Sequence, residues 1–583
     1  MPTSSNIVPE TKRRKYELLR SQLEIERSSF MPHWRDLGEF ILPRRPRLSI
    51  TDVNRGDRRN QKIIDSTATL AARTLRSGMM GGITSPARPW KRLTTPDPDL
   101  AEFGEVKEWL EIVDQRMTTI FLRSNLYNIL PITYGDLGVF GTSAIFMEED
   151  FDKVIHNYSM PIGSYWIANN NKLKVEVFMR EFRMTIRQLI KSFGVIGSNG
   201  QPDWSNFSQF VKDQWERGQY ETWVDIAHVV QPNDEYDPRK LESKYKKYSS
   251  CYYERGSQSY AGANYINAAD EDKYLSEKGY DYFPILAPRW EVTGEDVYGT
   301  NCPGMEALGD IKQLQTGEKR SAQAVEKMVN PPMTGPTVLR NQPSSILPGG
   351  TTWVDVREGQ MGFRPAHEVN FRIQELELKQ EQVRTRIKKA FFEDLFLMLS
   401  QSDRREITAR EVDERHEEKL LALGPVLERL NQDLLDPLVD NTFAIMLKQG
   451  LVPPPPEELQ GSELKVEYIS VMAQAQKLVG IAGIERFSQF VSNLVGQTQD
   501  TSILDKVDMD QLIDEYSTSV GISPRIVRTD EDVAAIRGQK AQQMQAAQMR
   551  EAIPALSKSA KDLASANMSE DNVLTRLTDQ RGE

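Results

Sequence analysis

Residues 76–93 read Arg-Ser-Gly-Met-Met-Gly-Gly-Ile-Thr-Ser-Pro-Ala-Arg-Pro-Trp-Lys-Arg-Leu, and this stretch sets the reading of the whole chain. A helical pattern leads into it through Ile63, Ile64, Thr67, Leu70, Ala71, Thr74 and Leu75. Three glycines follow, Gly78, Gly81 and Gly82, then Pro86, Pro89 and Trp90, which opens a new apolar run. Glycine tolerates positive φ and close backbone approach; each proline fixes its own φ and turns the preceding residue away from α. Met79, Met80, Ile83 and Trp90 give the segment apolar surface to bury. The expectation is a helix that ends at the glycines and an ordered, core-packed turn after it.

On the N-terminal side, residues 11–42 read as an amphipathic helix or helix pair through Tyr16, Leu18, Leu19, Leu23, Ile25, Trp34, Leu37, Phe40 and Ile41. Residues 43–60 are basic and irregular, with Arg44, Arg45, Arg47, Arg55, Arg58 and Arg59, and are expected to be a solvated loop or a contact for nucleic acid or an acidic partner. Beyond the opening stretch, residues 104–130 read as a helix ending at Pro131. Alternating and β-branched runs predict strands within 139–184, among them Ile145–Met147 and Leu173–Met179, and around Trp223–Val230 and Phe283–Trp290. Thr185 and Gln188 have capping-box spacing ahead of a short helix. Residues 1–304 are therefore a mixed α and β region.

The character then changes. Residues 305–330 carry a helical stripe at Leu308, Ile311, Leu314, Val325 and Met328 and stop at Asn330-Pro331-Pro332. Residues 331–369 hold six prolines and short β-like pieces, 337–339 and 352–356. A second helix is predicted over 370–400, with Ile373, Leu376, Val383, Ile387 and Phe391. At about 1.5 Å per residue each helix spans roughly 35–45 Å, which makes a helical hairpin with a small module at its tip. Residues 401–407 form a polar link, Gln401-Ser402-Asp403-Arg404-Arg405-Glu406. Thr408 and Glu411 have capping-box spacing for a long helix that Pro425 and Pro437 should kink or segment, and four prolines at 453–456 make a rigid spacer, within 408–469. Residues 470–583 read as mostly helical and end in a Gln- and Ala-rich part, suited to helices around an axis or to a poorly ordered tail.

With 583 residues the chain should hold several domains. No run of 18 apolar residues occurs, so no membrane span is expected, and no apolar stretch follows the basic start as a secretory signal would require. Two cysteines, Cys251 and Cys302, argue against a disulfide framework and fit a reducing cytoplasm. A net charge of −11 disfavours gripping nucleic acid over the whole surface, but it does not exclude a protein that surrounds DNA without holding it. The five histidines (His33, His156, His228, His367, His416) lack metal-ligand spacing; no Gly-Lys dipeptide and no Gly-x-Ser-x-Gly elbow occurs. No site for nucleophilic, metal or phosphoryl-transfer chemistry emerges, no cofactor is expected, and the chain is not expected to be an enzyme.

Together with residues 76–93, the run Trp290-Glu-Val-Thr-Gly-Glu-Asp-Val-Tyr-Gly-Thr-Asn-Cys-Pro-Gly304 with Ala307–Ile311, and Thr408–Val412 with Leu423-Gly-Pro-Val426 and Leu430, resemble the head-to-tail connecting (portal) proteins of short-tailed phages. The resemblance implies an α+β, predominantly helical portal fold: a wing (1–304), a stem hairpin (305–330 and 370–400), a clip (331–369), a tunnel loop (401–407), a long wing helix with its spacer (408–469) and a helical crown or barrel (470–583). It implies a dodecameric ring at one capsid vertex that nucleates capsid assembly with the major capsid and scaffolding proteins. Such a ring docks the terminase large subunit, passes double-stranded DNA in and out without sequence preference, and binds tail adaptors. The chain would work in the host cytoplasm during assembly and in the virion, away from membranes. By the same resemblance Gln401, Ser402, Asp403, Arg404, Arg405 and Glu406 would face the channel. Lys379, Arg384, Arg386, Lys388 and Lys389 would line the lumen or pair with neighbouring subunits. Trp353, Arg357, Phe363 and Arg364 would meet terminase or adaptor, Trp353 alternatively packing in the clip core. The competing readings are a non-viral helical scaffold and a nuclease using dispersed carboxylates with a divalent metal.

Overall fold

The computed structural model describes residues 11–49, 59–97, 100–101, 103–195, 202–256, 272–329, 333–334, 364–365, 373–401, 423–459, 461, 464–469, 487–494, 497, 506–520, 527–528 and 533–546. The chain divides into two compact units, one of residues 1–92, 113–453 and 466–479, the other of residues 93–112, 454–465 and 480–583.

In the first unit, Thr11 caps helix α1 (Lys12–Ser28) by accepting a hydrogen bond from the Arg14 amide. Tyr16 and Leu23, two turns apart, reach a core that includes Trp166, Met179, Val229, Cys251 and Tyr253. Helix α2 (Met31–Phe40) buries Trp34 and Leu37, and the Trp34 indole donates to the Phe140 carbonyl at 3.3 Å. The basic segment after it is not simply a solvated loop. Arg45 donates to the buried carboxylate of Asp136 and to Ser159, because that carboxylate needs a cation inside the fold; residues 50–58 lie outside the described residues.

Helix α3 spans Thr67–Ile83, so the glycines expected to end it lie within it. The reason is packing. A Cβ at Gly78 would lie 2.2 Å from the ring of Phe396, so the glycine is a notch for an aromatic side chain some 300 residues away. Helix α4 (Gly104–Arg123) ends well before Pro131, which instead sits inside helix α5 (Leu126–Phe140). The break falls at Ser124–Asn125: the Ser124 hydroxyl accepts from the Leu126 amide, and the Asn125 side chain exchanges two hydrogen bonds with the Asn157 backbone. Burial of Leu126, Leu130, Tyr134 and Leu137 carries α5 through the proline.

Strand β1 (Ala144–Asp150) lies between β2 (Val154–Met160) and β8 (Ile285–Leu286), all antiparallel. The strand expected over Phe283–Trp290 shrinks to two residues, since Pro284 and Pro288 bracket it and cannot donate to a ladder. The second sheet is an antiparallel meander, β3 (Tyr165–Asn169), β4 (Val175–Thr185), β5 (Trp223–Pro232), β6 (Tyr248–Gly256) and β7 (Ser276–Tyr280), in chain order. Leu173 falls in the turn before β4, with φ +58°. The Thr185–Gln188 capping box is formed, and it starts helix α6 (Ile186–Phe193); helix α7 (Gln209–Glu216) follows. Deep in the meander, His228 stacks on Tyr252 at 3.7 Å, accepts from Arg180 at Nδ1 and lies 3.0 Å from the Ser250 hydroxyl at Nε2.

After the hairpin described below, helix α11 (Gly424–Leu430), a π-helical turn (Asn431–Leu435) and helix α12 (Asp436–Lys448) run on without a gap. Pro425 sits in the first turn of α11, where a missing N–H leaves no bond unmade, and Pro437 falls where the π-helical turn gives way to α12. Arg289, 1% exposed, ties this run to the sheet: it donates to Asp433, to the Asn169 side chain and to the Leu173 carbonyl. The Thr408–Glu411 capping box lies outside the described residues.

In the second unit Val106, Trp109, Leu110 and Leu459 are buried. Helix α13 (Met509–Val520) is held through Asp510 to Arg537, in a helical stretch over 533–546. The molecule is thus a mixture of helix and sheet, and among the described residues no helix is long and apolar enough to cross a membrane.

Candidate functional site: the helical hairpin and its ion pairs

Helix α8 (Pro303–Val329) packs against helix α9 (Ile373–Ala390). Its 27 residues span about 40 Å. The second helix expected over 370–400 is broken: α9 ends at Ala390 and helix α10 (Glu393–Gln401) begins after Phe392, which has φ +54°. The break has a packing cause. Phe391 is fully buried, Phe392 approaches the Trp290 ring, and the turn delivers Phe396 to the notch at Gly78.

The two halves of the hairpin differ. The proximal part of α8 buries Ala307, Leu308, Ile311 and Leu314, and its Gln315 side chain accepts from the Ile64 and Asp65 amides while donating to the Asp65 carbonyl. Ion pairs lock the same level: Arg384 to Asp65 at 2.9 Å, to Glu318 at 2.6 Å and to Glu381 at 3.2 Å, Arg386 to Asp310 at 2.8 Å, and Lys312 to Asp36 at 2.5 Å. The hydrogen bond to Asp65 is foremost in raising the Arg384 pKa; against its burial, Asp65 is held low first by hydrogen bonds from Thr67 and then by Arg384. Farther out, Val325, Met328, Val329 and Leu378 are exposed. Between the helices lies a groove of about 460 Å³ lined by Leu314, Gly317, Arg320, Leu376 and Val383.

The residues singled out from sequence fall in three groups. Arg384 and Arg386 pair with carboxylates of their own chain, while Lys379, Lys388 and Lys389 are exposed with no ion pair among the described residues. Gln401 closes α10 rather than opening a loop, and Ser402, Asp403, Arg404, Arg405 and Glu406 lie outside the described residues. Trp353, Arg357 and Phe363 also lie outside them. Arg364 stands in the short strand Arg364–Pro365, which pairs antiparallel with Met333–Thr334; both strands lie between α8 and α9 in the chain. Sequence reasoning missed Asp36, Asp65, Asp310 and Gln315. Asp36 and Asp65 come from segments about 250 or more residues away from their hairpin partners, and no local pattern marks them. Among the described residues no group of three or more His, Cys, Asp or Glu side chains could hold a metal ion.

The family model described as "Bacteriophage head to tail connecting protein" matches residues 13–527. The chain is 47% identical over 562 residues to the "Portal protein" of Salmonella phage epsilon15, covering 96% of this chain and 97% of that protein. It is 41% identical over 557 residues to the "Probable portal protein" of Bordetella phage BPP-1, covering 96% of each. A match over nearly the full length, at such identity, places the chain in the family of bacteriophage head-to-tail connecting proteins, the portal proteins of phage.

Proposed function

We propose that this chain assembles as a closed ring, of twelve copies by analogy with its family, at one capsid vertex. It nucleates the capsid with the major capsid and scaffolding proteins, docks the terminase large subunit, passes double-stranded DNA inward and outward, and attaches the tail through adaptors. The chain itself supplies no chemistry; the ring is a conduit, and the motor partner hydrolyses the nucleotide.

The observation that carries this reading is the divided hairpin. Its proximal half is satisfied within one chain. Its distal half leaves Val325, Met328, Val329 and Leu378 exposed, apolar surface that neighbouring copies would cover. Unlike patches that meet around a closed rotation make a ring. The unpaired Lys379, Lys388 and Lys389 then face either the lumen or a neighbour's carboxylates, and 401–406 belong to the channel wall. Trp353, Arg357, Phe363 and Arg364 form the face offered to terminase and adaptor, aromatic and arginine side chains being the usual anchors of interfaces. Native mass and cryo-EM class averages of the purified chain test the reading. A ring with a central channel is expected, and a monomer that stays so when supplied with the capsid and scaffolding proteins would refute it.

A further inference from the structure

The β1–β2 hairpin ends in Asp150-Phe151-Asp152-Lys153. Phe151 is 98% exposed. The Asp152 amide donates to the Asp150 carboxylate at 2.7 Å, which fixes the turn, and neither carboxylate has an ion pair among the described residues. A single exposed ring is ordinary on a protein surface. What gives this one meaning is a second feature, at the other end of the same strand.

Beyond Met160, where β2 finishes, Gly163 and Ser164 border a cleft of about 560 Å³. Its walls include Trp166, Phe182 and Trp223, and it is lined by the arginines Arg20, Arg27, Arg47 and Arg183 and the carboxylates Glu24 and Glu181, with Arg20 paired to Glu17 and Glu181. Arg27 is 5% exposed, stacks over the Trp166 ring at 3.9 Å and keeps its Nε without a hydrogen-bond partner. Arg47 is exposed and has no carboxylate partner among the described residues, whereas Arg183 is paired with Asp225 and Arg27 with Glu24. The cleft therefore offers aromatic walls for a ring and a free guanidinium at its edge for an acid. The hairpin tip offers a ring flanked by two free acids.

The seven residues of β2 separate tip from cleft by roughly 20 Å, so one chain cannot bring its own two features together. We infer that Phe151 of the partner subunit seats in this Arg–Trp cleft, with Asp150 and Asp152 of the partner subunit beside Arg47, as a head-to-tail contact of the ring. The inference rests on the ring proposed above and adds which surfaces meet. Because the two patches are unlike, the contact is heterologous and repeats around the ring until it closes. A buried aromatic anchor with charged neighbours at the rim is the common build of an interaction hot spot.

The test uses full-length chain assembled into rings. Phe151→Cys with Leu48→Cys, treated with a short bis-maleimide, should give a denatured-gel ladder of covalent oligomers; mixing the two single variants should stop at the dimer. The native Cys251 and Cys302 do not interfere, since burial pushes both thiols up to about 12 and leaves them inert. In parallel, Arg47→Glu or Asp152→Arg alone should weaken association roughly tenfold or more, and the two reversals combined should restore it. Rings that form normally but give no ladder overturn the contact while leaving the ring reading intact. Single reversals that assemble like the unaltered chain overturn it as well. Failure of the unaltered chain to form any ring would defeat the ring reading and this contact with it.

Discussion

Gly138 and Leu75 make a direct test of how α3 and α5 are fitted together. Leu75 is fully buried on α3, and a Cβ added at Gly138 on α5 would lie 2.0 Å from its Cδ2 methyl. In the native background Gly138→Ala forces that methyl into an already filled core, which costs about 1–3 kcal/mol. Replacing glycine in a helix returns about 0.5–1 kcal/mol. The net is a loss of about 1–2 kcal/mol. In a Leu75→Ala background the clashing methyl is gone and the added Cβ partly fills the resulting space. There Gly138→Ala should stabilise by about 1 kcal/mol, although Leu75→Ala alone costs about 2–5 kcal/mol. The sign of one substitution thus reverses with its partner, a coupling of about 2–3 kcal/mol. A chain of this size unfolds in several steps, so the assay is hydrogen exchange of the amides of α5 rather than a single melting curve. Gly138→Ala should lower their protection roughly five- to thirtyfold in the native background and raise it severalfold beside Ala at position 75. Equal effects in both backgrounds would show that the two helices are not in the close contact described.

Three other outcomes follow from the geometry. Arg289→Met should destabilise the first unit by about 3 kcal/mol, because it leaves the Asp433 carboxylate with only Arg429, 3.9 Å away, and the Leu173 carbonyl without its donor; hydrogen exchange of the α12 amides checks this, and a loss under 1 kcal/mol would contradict it. Burial, with the Arg180 guanidinium beside it, holds His228 well below the usual histidine range. As pH falls below about 6.5 the unfolded chain takes up a proton that the folded site refuses, so His228 removes up to about 1.4 kcal/mol of stability per pH unit. His228→Gln should abolish that increment, and parallel stability profiles of the two proteins from pH 7 to 5 would refute it; Glu148 and Glu181, raised mainly by burial, slope the other way in both and cancel in the difference. Arg404→Glu with Arg405→Glu should leave ring assembly unchanged and reduce packaged DNA length or retention, measured on phage particles; normal genome length and yield would remove these residues from the channel wall.

Much of the architecture is legible in local pattern. Thr185 and Gln188 sit three apart and form the capping box their spacing predicts, and the apolar stripe from Leu308 to Leu314 locates the start of the hairpin. What fails is whatever depends on a distant partner. Glycine at 78 looks like a helix stop because local propensity disfavours it within a helix, yet Phe396 requires the missing Cβ there. Pro131 looks like a terminator, but burial along α5 outweighs the lost hydrogen bond. Arg45 looks like one member of a basic run, and only the fold brings Asp136 to it. The candidate site divides in the same way. The hairpin can be read from periodicity, while Asp36, Asp65 and Gln315, which pin it, carry no signal in their own neighbourhoods.

That division bears on how a ring of such chains could transmit force. Arg384, with carboxylates from three segments around it, and Gln315, which satisfies two amides and a carbonyl at the same level, fasten the proximal hairpin to the body. The break at Phe392 lies beyond this fastening, where α9 gives way to α10 and Phe396 enters α3. If residues 401–406 line the channel as proposed, their displacement by passing DNA would load α10 and the Gly78 notch first. The paired arginines would resist its spread to the distal hairpin. Neutralising Arg384 should cost little in the stability of the isolated chain, since a partly exposed network contributes only about 1 kcal/mol. Its effect should appear in hydrogen exchange of α9 within assembled rings, where protection would fall while the ring remains closed. Unchanged exchange in α9 would assign the fastening to apolar packing by Val383 and Ile387 instead.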